Sequence, residues 1–245
     1  MAREAADFFI WLAGQAKEGA GPVRIALSGG STPEALYKIL ATADLAARVK
    51  WQAVEFYFGD ERCVPPDHPE SNFRLADVTL FQPLRIDRKN IFRMEGELQD
   101  PNQGARNYEA LLRRKFGGSA SGWPRFDLLL LGMGDDGHTA SLFPGTPALD
   151  EREHLVLANH APRGVRDRIT FTAPLINAAK IVLFLVCGAS KAPAAKAVLE
   201  DGGQDPHTFP SRLIRPSQGR LIWFLDRSAA ADLSLARQQV VSHEE

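Results

Sequence analysis

The chain has almost no cysteine. Cys63 and Cys187 are the only thiols in 245 residues, far apart and outside any CxxC pair. That excludes a disulfide scaffold and a cysteine zinc site, and it suits a reducing, cytoplasmic compartment. Charge of one sign is also lacking: the formal net charge is −1, so no basic surface is on offer to nucleic acid or to an anionic membrane. No apolar run approaches the roughly 18 residues of a membrane span. Arg3, Glu4 and Asp7 in the opening segment do not suit a signal peptide. Internal repeats and low-complexity linkers are missing too, so residues 1–245, 44% hydrophobic, are read as a single domain. Several reaction signatures are absent. Without GxxxxGKS/T there is no triphosphate P-loop, and without GxSxG no α/β-hydrolase nucleophile elbow. The six histidines contain no HExxH.

What is present is an alternation of apolar runs and amphipathic segments. Residues 3–18 place Ala5, Phe8, Phe9, Leu12 and Ala16 at helical spacing. Val23–Leu27 predicts a strand, followed by a loop and a helix from Pro33 to about Leu40. Val54–Phe58 predicts a second strand, which ends in Gly59-Asp60-Glu61-Arg62. Helices are expected near 70–79 and over 102–115, the latter closed by Gly117-Gly118. Phe126–Leu131, Ile181–Val186 and Leu221–Leu225 are further strands, the last two each followed by a polar turn and helix-forming sequence. Leu155–Ala158 reads as a short strand and Arg168–Phe171 is ambiguous. Strands alternating with helices imply a mainly parallel, Rossmann-like sheet covered on both faces.

The most informative stretch follows Phe126–Leu131: Gly132-Met133-Gly134-Asp135-Asp136-Gly137-His138-Thr139. It lies at the carboxyl edge of a buried strand, where open α/β sheets place ligands. It joins carboxylates to the one side chain that exchanges protons near neutral pH. Gly132-x-Gly134-x-x-Gly137 matches the dinucleotide fingerprint, but Asp135 and Asp136 would repel a pyrophosphate. The acidic residue expected about 20 positions on is also missing. Asp135, Asp136 and His138 could ligate a metal, though their spacing is not diagnostic, and no metal is expected. A second loop, Ser28-Gly29-Gly30-Ser31-Thr32-Pro33, opens a helix. Its glycines allow close backbone approach and its free N–H groups favour an anion. Arg168 and Lys191 are cations that could complete such a site, Lys191 in a first helical turn where the dipole alone disfavours it.

These motifs resemble those of the 6-phosphogluconolactonases. Ser28–Pro33 (SGGSTP), Gly59–Arg62 (GDER), Gly132–Pro144 (GMGDDGHTASLFP), Arg168–Thr172 (RITFT), Gly188–Lys191 (GASK) and Arg215–Asp226 (RPSQGRLIWFLD) follow in the family's order. The resemblance implies a three-layer α/β/α sandwich that hydrolyses 6-phospho-D-glucono-1,5-lactone to 6-phosphogluconate in the oxidative pentose phosphate pathway, without an organic cofactor. It implies that His138 is the general base and that Asp136 and Asp60 line its pocket. Gly29, Gly30, Ser31, Thr32, Arg168 and Lys191 would hold the substrate phosphate, and Arg62 would contact phosphate or lactone oxygens. The partner would be a small phosphorylated sugar lactone, with no nucleic acid or membrane, and the chain a monomer or small homo-oligomer. Family members usually carry a strand before the first helix, and here the chain starts within that helix, so one sheet edge is expected to be missing. The related glucosamine-6-phosphate isomerase/deaminases are the alternative, and a non-catalytic sugar-phosphate sensor is a third. The former carry a glutamate just before the proline of their histidine segment. Here Phe143 stands in that place, and phenylalanine cannot relay a proton.

Overall fold

The computed structural model describes residues 1–15, 21–117, 122–201 and 205–234. Eight strands are present among them: β1 (Val23–Leu27), β2 (Val54–Phe58), β3 (Asp60–Arg62), β4 (Leu128–Leu131), β5 (Val156–His160), β6 (Asp167–Phe171), β7 (Ile181–Val186) and β8 (Arg220–Leu225). Five of them form one all-parallel sheet in the order β2-β1-β4-β7-β8. The runs of valine, leucine, isoleucine and phenylalanine are continuous because side chains alternate between two covered faces. Ile25, Leu27, Leu128, Leu130, Leu183 and Leu185 point into one core, and Ala26, Leu129, Leu131, Val182 and Phe184 into the other.

The first core is closed by α1 (Ala2–Ala13) and α2 (Ser31–Leu40), through Ala5, Phe9, Leu36 and Tyr37. The second is closed by α5 (Pro101–Lys115) and α7 (Ala192–Leu199), through Tyr108, Leu112, Ala194 and Ala195. The result is the expected three-layer α/β/α sandwich. Short helices α3 (Ala43–Ala46), α4 (Asn72–Ala76) and α6 (Ala173–Asn177) complete the set. α5 begins where the sequence signals it: Asp100 caps Asn102, Pro101 takes the first turn, and Arg113, Arg114 and Lys115 sit at the carboxyl end, where the dipole favours cations.

The structure departs from the sequence reading in three places. The segment near 70–79 is a helix only over Asn72–Ala76. It then widens into a π-turn at Asp77–Phe81, where the Thr79 hydroxyl bonds back to the Leu75 carbonyl at 2.6 Å. The described residues after β8 form turns, with the Asp226 carboxylate taking the Ala229 N–H at 2.7 Å. Most important, Asp60–Arg62, Val156–His160 and Asp167–Phe171 build a second, antiparallel sheet in the order β3-β6-β5. Gly59 is the junction: its N–H bonds Leu27 of the main sheet and its carbonyl accepts from Phe171 of the small one. Ala16 of the first predicted helix and Gly118 lie outside the described residues. Among the described residues, β2 and β8 are the edges of the main sheet. No helix among the described residues is long and apolar enough to cross a membrane.

Candidate active site

The carboxyl ends of β1 and β4, the small antiparallel sheet and the turn before α7 surround a cleft of about 750 Å³. Gly29, Gly30, Asp60, Arg62, Asp136, His138, Arg168 and Lys191 all line it, although they come from five separate stretches of chain.

At its floor, the loop after β4 folds back on itself. The Gly134 N–H donates to the His138 carbonyl at 2.9 Å and the Gly137 N–H to the Gly134 carbonyl at 3.0 Å. Instead of opening a helix, the chain continues through turns to Asp150, so the helix that a dinucleotide fingerprint needs is not formed. The His138 Nδ1 lies 2.5 Å from the Asp136 Oδ1, which also accepts the His138 backbone N–H at 3.1 Å. Burial alone would raise the Asp136 pKa. The hydrogen bonds from His138 outweigh it, and the carboxyl sits below its ordinary range. An ionised Asp136 holds the proton of the imidazole on Nδ1 and leaves Nε2 as the basic nitrogen. A Cβ on Gly134 would fall 2.1 Å from the His138 Nδ1. Gly134→Ala therefore displaces the ring. We expect kcat to fall about 10²-fold, the usual cost of an ångström of misplacement, with the melting temperature little changed. A melting curve beside the steady-state kinetics checks both parts.

Asp60 is buried, and both its oxygens are engaged: Oδ1 accepts from the Asn72 side chain at 3.2 Å and Oδ2 from the Ser141 hydroxyl at 2.7 Å. It ties β3 to the segment that follows His138. In that segment Ala140 takes a left-handed φ of 48° and the Thr139 hydroxyl bonds Gly132 at 2.8 Å. The Asn72 side chain fills the place a Cβ on Gly29 would occupy, 1.7 Å from its Oδ1. Close packing of this kind demands glycine there.

Arg62 and Arg168 face each other across the β3–β6 ladder. Arg62 Nη1 donates to the Glu70 carbonyl and Arg168 Nε to the Val165 carbonyl, and neither makes an ion pair with a carboxylate among the described residues. The Arg62 Nε is buried with no partner among those residues. Burial and the Arg62 charge push the Arg168 pKa down. Two adjacent guanidiniums without a counterion form a natural seat for an anion. Lys191, by contrast, is ion-paired to the Asp135 Oδ1 at 2.5 Å.

Ser31 and Thr32 do not line the cleft with their side chains. Ser31 is exposed at the start of α2, which Gly30 caps, and the Thr32 hydroxyl is bonded to the Cys187 thiol. This helix start presents its backbone N–H groups and the exposed Ser31 hydroxyl. Among the described residues no group of three histidine, cysteine or carboxylate side chains is placed to hold a metal.

Sequence reasoning missed Asn72, Arg163 and the contact of Phe143 with His138. Phe143 packs its ring 4.7 Å from that of His138 and 6.0 Å from the Arg168 guanidinium. Arg163 reaches the cleft from the β5–β6 turn, and only the run of arginines around Gly164 hinted at it.

With this geometry in place, the comparisons are decisive. The family described as glucosamine-6-phosphate isomerases/6-phosphogluconolactonase matches residues 1–223. The chain belongs to that family. It is 45% identical over 213 residues to the 6-phosphogluconolactonase of Synechocystis sp., covering 87% of this chain and 85% of that protein. To the human 6-phosphogluconolactonase it is 39% identical over 216 residues, covering 86% and 81%. The solved structure of 6-phosphogluconolactonase from Trypanosoma cruzi superposes with a TM-score of 0.84 at 30% identity, covering 95% of this chain and 92% of that one.

Proposed function

We infer that this chain hydrolyses 6-phospho-D-glucono-1,5-lactone to 6-phospho-D-gluconate in the oxidative pentose phosphate pathway, with His138 activating the water. It would act as one catalytic domain, in the cytoplasm, as a monomer or small homo-oligomer. The single observation that carries the residue assignment is the His138–Asp136 pair in a cleft that is also lined by two arginines in no ion pair among the described residues.

Neutral His138 takes a proton from water on Nε2 as the oxygen attacks the lactone carbonyl. Asp136 stabilises the imidazolium that forms. The tetrahedral intermediate collapses, the bond from carbonyl carbon to ring oxygen breaks, and the imidazolium returns the proton to that oxygen. Both valence and charge then balance. The Gly134 and Gly137 N–H groups are bonded within their own loop, so Arg62 or another N–H of the Gly132–Gly137 loop would meet the developing oxyanion. Arg168, Lys191 and the N–H groups at the start of α2 hold the phosphate, and the distance between phosphate and lactone then fixes the carbonyl against His138. Asp60 keeps the two halves of the cleft in register through Ser141 and Asn72.

The isomerase/deaminase reading needs a proton relay where Phe143 packs its ring on His138. A non-catalytic sensor would need the arginines but not the aligned His138–Asp136 pair. The deciding experiment is lactone hydrolysis by purified protein over the spontaneous background, with glucosamine 6-phosphate in parallel. Turnover of the amino sugar without lactone hydrolysis would overturn the reading. Because the scheme requires only a histidine base, activity should survive exhaustive chelation, with kcat changed by less than about two-fold. Loss that one divalent ion restores would instead revive a metal held by Asp135, Asp136 and His138.

A further inference from the structure

The Lys191–Asp135 ion pair stands apart from the rest of the cleft. Arg62, Arg163 and Arg168 face it without a carboxylate partner among the described residues, yet Lys191 is already occupied. Its Nζ lies 2.5 Å from the Asp135 Oδ1, and the Ser190 hydroxyl donates to that same oxygen at 3.1 Å. Two donors from the turn Ala189–Lys191 converge on one anionic oxygen, at the amino end of α7, where a helix favours negative charge. A phosphate oxygen would need the same surroundings. Asp135 is not otherwise anchored through its side chain. It sits on the loop that carries Asp136 and His138, and its carboxyl is held below the ordinary range chiefly by Lys191.

We propose that Asp135 is a built-in competitor for the substrate phosphate: it occupies Lys191 in the free protein and must be displaced when a phosphorylated ligand binds. The proposal rests on the assignment of Lys191 to the phosphate. Its consequence is that Asp135 weakens ground-state binding of substrate and product alike. The phosphate is common to substrate and product, so a competitor for Lys191 loosens the grip on each. Tempering it keeps the phosphorylated product from lingering. The same exchange frees the Asp135 end of the glycine loop only when phosphate has arrived. Lactones without phosphate leave the pair closed.

The test is a double-mutant cycle on inhibition by 6-phosphogluconate and by inorganic phosphate, using Asp135→Asn, Lys191→Ala and both together at low ionic strength. Asp135 is exposed and the pair is partly screened, so Asp135→Asn should lower both inhibition constants by about 2–5-fold. The gain should shrink as salt is added. In the Lys191→Ala background the same substitution should change them by less than about 1.5-fold, because the competition has no object. An equal effect in both backgrounds would show a general charge effect and overturn the proposal. So would no effect of Asp135→Asn while Lys191→Ala weakens both inhibitors. If Lys191→Ala leaves both inhibitors unaffected, Lys191 does not bind phosphate, and that assignment falls together with the proposal built on it.

Discussion

Replacing His138 with alanine should lower kcat by about 10²–10⁴-fold, the usual contribution of a positioned general base. Affinity for 6-phosphogluconate should stay within about three-fold, because the lost interaction acts on the transition state and not on ground-state binding. The substitution removes a side chain whose ring packs on Phe143 and bonds Asp136. A companion variant separates catalysis from packing. Asp136→Asn keeps the shape but no longer favours the imidazole proton on Nδ1, so it should lower kcat while leaving product affinity and melting temperature near normal. The two substitutions act on one unit, and the double variant should be little worse than His138→Ala alone. Near-normal turnover of His138→Ala would remove this residue from the mechanism.

The parallel sheet was legible because its inner strands are buried on both faces. Ile181–Val186 is a continuous apolar run, Val23–Leu27 and Val54–Phe58 are broken only by Arg24 and Glu55, and the ends of all three coincide with the strands in the structure. Helix α5 was legible through Pro101 and its basic end. The small antiparallel sheet was not. Asp60–Arg62 has no apolar residue and no alternation, and it is a strand only because Arg168–Thr170 lies beside it. Arg168–Phe171 was ambiguous for the same reason: polar at one end and apolar at the other, it begins half-buried and finishes in the core.

The candidate site was legible where chemistry concentrates in sequence. Asp136 and His138 are two residues apart, and a tight glycine loop brings them into contact. The partners that come from a distance were not legible. Asn72 and Ser141 look like ordinary helix-start and loop residues, yet both hold Asp60 across 12 and 81 positions. Ser31 and Thr32 do not line the cleft. Their hydroxyls suggested phosphate ligands, but the start of α2 sends Thr32 to Cys187 and leaves Ser31 exposed. Local pattern fixes which backbone is free to bind an anion. It does not fix which side chains turn toward it.

Arg168→Ala should cost about 10–150-fold in kcat/KM on the phosphorylated lactone, since a charge-assisted bond to phosphate is worth about 1.5–3 kcal/mol. The loss should be confined to that substrate. Hydrolysis of unphosphorylated gluconolactone, already slow, should change by less than about three-fold, because it offers nothing for the guanidinium to hold. Much of the effect should appear in kcat, because energy from binding the remote phosphate orients the carbonyl against His138. Arg168 also has a structural bond, from Nε to the Val165 carbonyl at 2.8 Å, and contacts the Phe143 ring. A change in the β5–β6 turn could therefore reach His138 without any phosphate being involved. Arg168→Lys keeps the charge but not the forked geometry, and it should recover part of the activity on the phosphorylated lactone. Substrate dependence separates the two routes. A displaced turn slows both lactones together, whereas a lost phosphate contact slows only one. Equal losses on both substrates would place Arg168 in the fold or the chemistry and end its assignment to the phosphate.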